Sequence, residues 1–367
     1  MEFTIQKDKL LAELTLAAAV VEKRTTVPIL AMVKISATVQ NAIQISATDL
    51  STCMVTTIDA DVKEPGAVCI PSARLAQLIR TFPGVPVKFK IDENYWASIA
   101  AGKTRARLAG SSTESFPELP APPDTGTPIN AALLARQMAM VSHCISDQES
   151  RFTLNGFLMA MGESLTLVAT DSHRLAWANV KIGKTDPQEF LVPKVIPAHF
   201  SRIVEDAEDG AQVIVSTDAN HLYFTVGDRL LVSRKLSGTF PDYRRALPKP
   251  DAQTINRTFS RAELRNAITQ VLQFADESTS SISVALAGDG GVRVFANTVD
   301  KGECESELTS EGRGEITFTL SGQYLQETLG AITSERVRLL TKDNRSALEW
   351  QPVDSTEYRA IIMPMRK

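Results

Sequence analysis

The chain repeats its own pattern at about one third of its length, and this repeat limits the available folds more than any other feature. Ala47-Thr48-Asp49 returns as Ala169-Thr170-Asp171, 122 positions further along a chain of 367 residues. An apolar run that ends in proline recurs at the same spacing, at Ile70-Pro71 and Val192-Pro193. Independent segments that agree on one period are the signature of tandem copies of one structural unit. We therefore predict three similar domains.

Proline-rich tracts mark the expected domain boundaries. A length of 367 residues already exceeds what one hydrophobic core usually supports. The tracts that begin at Phe116-Pro117 and Phe240-Pro241 contain several prolines, which remove backbone donors and favour extended chain. The sequence therefore predicts domains over residues 1–122, 128–249 and 253–367.

Each third shows the same order of short strands and two amphipathic helices. Leu75, Ile79 and Phe82 lie on one helical face, and Ser72 stands where the N-cap of that helix is expected. The same spacing and strand-like runs predict helices at 7–21, 72–82, 130–145, 194–204, 260–274 and 321–332, and strands at 88–91, 213–216, 222–226 and 337–340. Because these helices can cover only one face of each sheet, we predict α+β domains, each with two helices packed on antiparallel sheets.

Charge is shared unevenly between the predicted helices and the rest of the chain. The six helical segments together carry a net charge of +5, whereas the whole chain carries −4. This distribution is expected if the helices face a polyanion and the sheets face water, and scattered solvated charge is the equally weighted alternative. A hydrophobic content of 43% is typical of a globular protein, and the longest apolar runs are too short for a membrane helix.

Motifs that suggest catalysis or metal binding are weak. Gly102-Lys103-Thr104 resembles the end of a phosphate-binding loop, but Ala97 stands where that loop needs glycine. Asp171, Ser172 and His173 have triad chemistry, yet neighbours on a turn diverge, so a hydrolase or transferase that uses His173 and Asp171 would need a remote partner residue. The four cysteines are widely separated, and we expect buried thiols in a reducing cytosol, with no metal site.

The C-terminus is unusually apolar for a chain end. Ile361 to Met365 are five apolar or proline residues in a row. One interpretation is a final strand docked on its own sheet. The other is an exposed, adaptable lining for a partner peptide, because methionine is frequent at such surfaces.

Three segments, in this order, carry a resemblance to a known family. They are ATDSHRLA at 169–176, FPDYRR at 240–245 with Leu247-Pro248, and MPMR at 363–366, and two further matches are Arg151 with Leu154-Asn155-Gly156 and Lys23-Arg24 before VPIL at 27–30. Together they resemble the bacterial DNA polymerase III β subunits, the sliding clamps. The resemblance extends from Phe3 to Arg366, nearly the whole chain.

The resemblance implies a three-domain subunit that dimerises head to tail into a ring, encircles duplex DNA and slides on it. Such a ring is a non-catalytic processivity factor without a cofactor. The implied partners are double-stranded DNA bound without sequence preference, a second copy of the chain, the DNA polymerase III catalytic subunit, the clamp-loader complex, and other polymerases and repair proteins that carry short clamp-binding peptides. No membrane partner is implied, and the expected location is cytoplasmic and nucleoid-associated.

The resemblance also implies three functional surfaces. A peptide-binding groove would be lined by Arg151, Leu154, Thr170, His173, Arg174, Leu175, Pro241, Arg245, Ile361, Met363, Pro364, Met365 and Arg366. DNA-facing positions would be Arg24, Arg74, Arg80, Gln148 and Lys194. Dimer contacts would be Ala106, Leu108, Val271 and Leu272.

The chain departs from the family pattern at three positions. Ser172 stands where the family usually has glycine, Thr153 replaces a usual aromatic residue near DNA, and Ala106 replaces a large apolar residue at the dimer contact. Less buried area at Ala106 would make the ring easier to open. The sequence leaves open whether the chain is a main clamp or a second copy, and which partners it prefers. A three-domain peptide-binding scaffold that never encloses DNA is a further alternative.

Overall fold

The computed structural model describes residues 1–22, 25–249, 251 and 254–366. Within those ranges the chain forms six α-helices and 26 β-strands. The helices are α1 (Lys7–Val20), α2 (Ser72–Thr81), α3 (Ala131–Ser142), α4 (Ile196–Val204), α5 (Arg261–Leu272) and α6 (Gly322–Ala331). All six coincide with predicted helical segments to within three residues at either end, which confirms the helix predictions. No helix in the described ranges is long and apolar enough to cross a membrane.

The strands follow the same order in each third of the chain, except that the described second third has no counterpart of the short strands Asp61–Glu64 and Glu311–Arg313. The first third contains β1 (Glu2–Ile5), β2 (Met32–Thr38), β3 (Ala42–Thr48), β4 (Thr52–Asp59), β5 (Asp61–Glu64), β6 (Gly66–Pro71), β7 (Val87–Ile91), β8 (Trp96–Ala101) and β9 (Thr104–Ala109). The second contains β10 (Thr127–Asn130), β11 (Gly156–Met161), β12 (Ser164–Thr170), β13 (Arg174–Lys181), β14 (Gln188–Pro193), β15 (Gln212–Thr217), β16 (His221–Val226) and β17 (Arg229–Arg234). The last contains β18 (Ile255–Ser260), β19 (Ser281–Leu286), β20 (Gly291–Thr298), β21 (Gly302–Thr309), β22 (Glu311–Arg313), β23 (Ile316–Ser321), β24 (Arg336–Thr341), β25 (Leu348–Pro352) and β26 (Tyr358–Ile362).

The chain divides into two compact units, and the first comprises Met1–Ala135 and Val195–Lys235. It contains a five-stranded sheet, β5-β1-β7-β8-β9, and an eight-stranded sheet, β10-β15-β16-β17-β4-β3-β2-β6. The eight-stranded sheet joins the first and second thirds of the chain. Its junction is the antiparallel pair β17–β4, whose register runs from Arg229 opposite Thr56 to Ser233 opposite Thr52.

The second compact unit comprises Arg136–Lys194 and Leu236–Lys367. It contains a nine-stranded sheet, β14-β11-β12-β13-β26-β25-β24-β18-β22, and a four-stranded sheet, β21-β20-β19-β23. Here the antiparallel pair β13–β26 joins the second and last thirds, with Arg174 opposite Ile362. In both units, therefore, the last strand of one third pairs with the strand that follows the Thr-Asp turn of the third before it.

The core of the first unit shows why the sequence folds in this way. Phe3 and Phe89 stack with ring centroids 4.7 Å apart between β1 and β7, and both are almost completely buried. Leu10 of α1 and Leu75 of α2 are completely buried in the same cluster. Removal of this apolar surface from water is the main stabilising term for such a layer of helices on a sheet.

The predicted N-cap at Ser72 is wrong. Strand β6 continues to Pro71, so Pro71 takes the N-cap position and Ser72 is the first helical residue. The buried Ser72 hydroxyl has no hydrogen-bond partner among the described residues. In the last third, by contrast, serine is the N-cap of both helices. The hydroxyls of Ser260 and Ser321 each accept a hydrogen bond from a backbone N–H in the first turn.

This difference predicts distinct costs for three serine-to-alanine changes. Ser260→Ala and Ser321→Ala should each lower the free energy of unfolding by about 1 kcal/mol, because a helix N–H loses its partner. Ser72→Ala should leave stability unchanged or raise it, because it removes an unpartnered buried hydroxyl. Urea denaturation followed by circular dichroism measures all three. A loss at Ser72 as large as at Ser260 would contradict these assignments.

Candidate functional site

The turn between β12 and β13 is held by its own side chains. One carboxylate oxygen of Asp171 accepts hydrogen bonds from the backbone N–H groups of His173 and Arg174, both at 2.9 Å. The hydroxyl of Thr170 accepts from the N–H of Ser172 and donates to the carbonyl of Arg174. The predicted strand–turn–strand is therefore confirmed, and a threonine and an aspartate explain its sharpness.

The same turn geometry recurs in the first third of the chain. Asp49 accepts from the N–H groups of Ser51 and Thr52, and the Thr48 hydroxyl accepts from the N–H of Leu50. Leu50 has a φ of 73° and Ser172 has a φ of 79°, a left-handed conformation at equivalent positions. The internal repeat found in the sequence is thus a repeat of hydrogen bonds.

Arg174 is held in place at the start of β13. Its guanidinium pairs with Asp171 at 2.9 Å and with Glu327 of α6, and it lies 4.1 Å from the ring centroid of Tyr324. The side chain is only 10% exposed. Because two carboxylates neutralise it, Arg174 offers a partner little free charge. The second oxygen of Asp171 is used in this ion pair, so this carboxylate is already engaged and less suited to the hydrolase alternative.

Two titratable groups, the half-buried His143 and the buried Cys144, follow α3 and are electrostatically coupled to Arg174. Burial, and secondly the charge of Arg174, lowers the pKa of His143 to about 4. Burial also raises the pKa of the Cys144 thiol, which makes it an unreactive apolar residue. The ring of His143 contacts the hydroxyl of Thr328 on α6. At neutral pH, His143 is therefore uncharged.

Three predicted groove residues belong to a buried apolar cluster that we call the apolar floor. Leu154, Leu175 and Ile361 are 7%, 5% and 3% exposed, and they pack with the rings of Phe240 and Tyr243. The remaining members are Leu158, Trp177, Val168, Leu191, Leu236, Leu247 and Ala347. A peptide side chain that reached this floor would meet carbon atoms almost exclusively.

The C-terminus is docked at its first residues and exposed after them. Ile361 and Ile362 are buried in β26, as the docked-strand interpretation requires. Met363 is 46% exposed beyond the strand, although its N–H donates to the carbonyl of His173 at 2.9 Å. The N–H of Met365 donates to the carbonyl of Thr319 at 2.7 Å. The tail after Ile362 is therefore tethered by its backbone while Met363 remains accessible.

The tail borders a depression of about 480 Å³. Predicted groove residues on its wall are His173, Met363, Pro364, Met365 and Arg366. Sequence reasoning missed the opposite wall, which consists of residues 277–280 together with Ser321, Gln323 and Tyr324. No motif marks these residues, since they lie on α6 and the turn before β19. Within the second unit, the structure thus distributes the predicted groove residues between the apolar floor, this depression and a polar rim.

The polar rim contains the remaining predicted groove residues. Arg151 donates to the Ser172 hydroxyl at 2.5 Å, and Arg245 pairs with Asp242 at 3.1 Å. Arg245 is 88% exposed, and Pro241 beside it is exposed as well. The rim is therefore charged and wet, in contrast to the floor.

The predicted DNA-facing residues lie on exposed positions where the structure describes them. Arg74 and Arg80 are exposed on α2, on the side opposite the buried Leu75. Gln148 and Lys194 are exposed in the second unit, where Lys194 pairs with Asp147 at 3.0 Å. Arg24 lies outside the described residues. All described positions can reach solvent without rearrangement.

The predicted dimer contacts differ in accessibility. Ala106 and Leu108 are half-buried on β9, with their side chains against the core of the first unit. Leu272 is half-buried, but Val271 is completely buried inside the last third. Val271 can support a contact surface only from beneath, because its side chain is buried within its own domain. The four dimer contacts stay a prediction.

Sequence reasoning missed the charged residues that share these edges. Arg105 and Arg107 are exposed on β9, and Glu303, Glu305 and Glu307 are exposed on β21. The signal was available as alternation, because the charged residues of each strand stand at every second position, 105 and 107 on β9 and 303, 305 and 307 on β21.

Family models match the chain along almost its full length. The matching descriptions are the N-terminal domain of the DNA polymerase III beta subunit over residues 1–120, the central domain over 128–242 and the C-terminal domain over 244–366. The chain belongs to the DNA polymerase III beta subunit family. It is accordingly a chain of three tandem clamp domains of α+β architecture, and the predicted fold class is confirmed.

Relatives with similar sequences and structures match the whole length of the chain. The beta sliding clamp of Pseudomonas putida KT2440 is 30% identical, with 100% of both chains covered. A crystal structure of the Pseudomonas aeruginosa DnaN sliding clamp bound to griselimycin has a TM-score of 0.93 at 29% identity, again with 100% of both chains covered. The Bacillus subtilis clamp structure has a TM-score of 0.94 at 21% identity, with 100% of this chain and 99% of that one covered, which supports the fold alone.

The lowered pKa of His143 predicts a pH dependence of stability. Its pKa is about 4 in the folded protein against 6.5 in the unfolded chain, so the unfolded state takes up a proton first as the pH falls. The resulting stabilisation is complete above pH 6.5 and is lost toward pH 4, by at most about 3 kcal/mol. His143→Gln should flatten the plot of unfolding free energy against pH between pH 7 and 4.

The control for this prediction is His199→Gln. Burial, and secondly Arg202, lowers the pKa of His199 in the same direction, so each single variant should retain part of the slope. A His143→Gln protein whose slope equals that of the wild type would show that the pKa of His143 is not lowered in the folded protein.

Proposed function

We propose that two copies of this chain form a head-to-tail ring that encircles duplex DNA, slides on it and tethers DNA polymerase III and other partners through peptides bound at the floor, depression and rim. Membership in the beta subunit family supports this role, and the relatives are named sliding clamps. The role is that of a processivity factor without catalysis, and it places the protein at the nucleoid in the cytoplasm. The proposed domain boundaries remain residues 1–122, 128–249 and 253–367.

The observation that carries the proposal is a pair of incomplete sheet edges. Each junction inside the chain pairs the last strand of one third with the post-turn strand of the preceding third, as β17 with β4 and β26 with β13. Two strands are left without such a partner inside the described chain. They are β9, the last strand of the first third, and β21, the post-turn strand of the last third. In the described parts of the chain, β9 pairs only with β8 and β21 only with β20.

Open edges of this kind are expected to pair with another chain. Unpaired strand N–H and C=O groups recruit a further strand unless something blocks them. Pairing β9 of one copy with β21 of another would repeat the internal junctions and join a five-stranded to a four-stranded sheet. Because the two edges are different, the contact is head to tail, and a closed assembly of two copies uses all four edges.

Charge favours this pairing. Arg105 and Arg107 on one edge would face the glutamates at 303, 305 and 307 on the other. Opposite charges on neighbouring strands stabilise the pair and select the correct partner edge. Ala106 and Leu108 add only a small apolar area to this interface. Ion pairs therefore contribute a larger share of its stability than they would if a large apolar residue stood at position 106.

Exposed basic residues support contact with the DNA backbone. Arg74, Arg80 and Lys194 are exposed, and such side chains attract phosphate without reading the sequence. A topologically closed ring needs no strong grip, so weak contacts are sufficient. A peptide-binding scaffold that never encloses DNA would share the floor and rim but would not be retained on circular DNA.

Retention on DNA should depend on DNA ends. Protein loaded by a clamp loader onto nicked circular DNA should co-elute with the DNA on gel filtration. Most of it should be released when a restriction enzyme linearises the circle, because a ring slides off an end. Retention that survives linearisation would contradict encirclement and favour an ordinary binder.

The matched control is a charge exchange between the two edges. Arg105→Glu with Arg107→Glu should raise the dimer dissociation constant at least tenfold and abolish retention on circular DNA, because glutamates would face glutamates. Adding Glu303→Arg and Glu305→Arg to the same chain should restore both. Sedimentation equilibrium measures the dissociation constant. A dimer that is unaffected by the first pair of changes would show that these edges are not the interface.

Removal of the tail should separate partner binding from ring formation. A chain that ends at Ile362 keeps β26 paired but loses Met363 and the wall of the depression. Binding of short clamp-binding peptides, measured by fluorescence anisotropy, should fall at least tenfold because the tethered tail contributes part of the binding surface. The dimer should persist. Full peptide affinity in the shortened chain would contradict the proposed groove.

A further inference from the structure

The exposed face of the five-stranded sheet in the first third carries a group of cations. Strands β7, β8 and β9 lie side by side in this sheet, and residues that point to solvent alternate with residues that point to the core. On β8, in the middle, the solvent-facing residues after Trp96 are the small Ser98 and Ala100. On the two flanking strands they include the cations Lys88 and Lys90 of β7 and Arg105 and Arg107 of β9.

The register of the three strands places these cations on both sides of a depression that we call the cationic trough. Across the sheet, each lysine is aligned with a small residue and then with an arginine, in the rows Lys88, Ala100, Arg105 and Lys90, Ser98, Arg107. Because the middle residues are small, the space above β8 is open, with a volume of about 510 Å³. Neighbouring strands are about 4.8 Å apart and alternate residues about 7 Å apart, so the four cations surround an area of about 10 by 7 Å.

Few carboxylates neutralise the cationic trough. Among the described residues, the ion pairs of its four cations are those of Lys90 with Glu2 at 3.9 Å and of Arg107 with Asp92 at 2.9 Å. Glu2 is shared with Lys63, which lies 3.6 Å away. Both paired cations stay largely exposed to solvent. The trough therefore keeps most of its positive charge, although the whole chain carries a net charge of −4.

The fold does not require cations at these positions. In the central third, β15, β16 and β17 correspond to β7, β8 and β9, and they pair in the same antiparallel order. The register of the two sets of strand pairs gives the counterparts of the four cations, which are Ile214, Ser216, Leu230 and Val232. Uncharged residues thus build the same part of the sheet, and the cations of the first third need a reason other than folding.

An aromatic side chain at one end of the trough indicates the class of anion that fits. Trp96 is exposed on the same face of β8, and the guanidinium of Arg107 lies 4.7 Å from the centroid of its ring. A groove of cations follows a phosphate backbone, and an exposed aromatic ring stacks on a base, which is how proteins bind single-stranded nucleic acid without reading its sequence. An acidic peptide would use the cations but would gain no base stacking at Trp96.

We propose that the cationic trough binds the backbone of single-stranded nucleic acid, with one base stacked on Trp96, and that a second copy of the chain competes for its arginines. Lys88 and Lys90 lie two strands away from the open edge and are not part of the proposed interface. Arg105 and Arg107 lie on the edge itself, where the glutamates of β21 from a second copy would neutralise them. The competition rests on the proposed ring, whereas the phosphate site itself does not.

Binding of a fluorescent oligothymidylate to the full-length chain, measured by anisotropy at several salt concentrations, tests the site. Lys88→Gln with Lys90→Gln should lower the affinity at least tenfold, because two phosphate contacts are lost. The slope of log affinity against log salt should become shallower by about 1.4, since each phosphate contact of a single strand contributes about 0.7. The matched control is Lys181→Gln with Lys184→Gln, which removes two exposed lysines elsewhere and should change neither quantity.

Two further measurements test the base contact and the competition. Trp96→Ala should lower the affinity for oligothymidylate at least fivefold, because a stacked base is lost. A polyglutamate peptide of equal charge should bind more weakly than the oligonucleotide and should not respond to Trp96→Ala. In sedimentation equilibrium, saturating oligothymidylate should raise the dimer dissociation constant of the wild type at least threefold, and it should leave that of the double lysine variant unchanged.

The possible results separate this inference from the proposed ring. Wild-type affinity and salt slope in the double lysine variant would overturn the phosphate site. A polyglutamate peptide that binds as tightly as the oligonucleotide, or a Trp96→Ala protein with full affinity, would overturn the assignment to nucleic acid. A dimer that oligothymidylate does not weaken would overturn the competition. A chain that binds oligothymidylate through these lysines but never dimerises would support the phosphate site and contradict the proposed ring.

Discussion

Antiparallel pairing between the last strand of one domain and the post-turn strand of its neighbour is the interaction on which the rest of the structure depends. It occurs at β17–β4 and at β26–β13, and it makes one continuous sheet across each domain junction. Backbone hydrogen bonds are indifferent to side chains, so the rule persists while the domains diverge in sequence. The same rule leaves β9 and β21 without a partner strand on one side within the described residues. Whether two copies assemble therefore depends on whether these two strands pair.

The candidate groove is a consequence of the same pairing. Strand β26 places Ile361 beside Leu175 of β13, and the tail beyond it continues toward His173. The Thr-Asp turn then presents Arg174 to Asp171 and Glu327, which neutralise it. Apolar floor and charged rim thus arise at one sheet junction, the arrangement that a short peptide with apolar anchors requires.

Local patterns were readable from the sequence, and contacts between distant residues were not. Thr170 and Asp171 predicted a turn because their side chains bond to backbone two or three residues away. The Arg174–Glu327 ion pair joins residues 153 positions apart, and no local signal indicates it. The N-cap prediction at Ser72 failed because a serine before an apolar stripe can be either the N-cap or the first helical residue. In the structure Pro71 is the N-cap, so Ser72 is the first helical residue. Burial of Val271 depends on how α5 packs, which periodicity places only approximately.

Amide hydrogen exchange of β9 and β21 tests the central claim most directly. If these strands pair between two copies, their outward-facing N–H groups should become protected together as the protein concentration passes the dimer dissociation constant. The N–H groups of the β17–β4 junction, which lies inside one unit, should be protected at every concentration. Edge strands that exchange rapidly at concentrations where the dimer is complete would contradict the pairing rule.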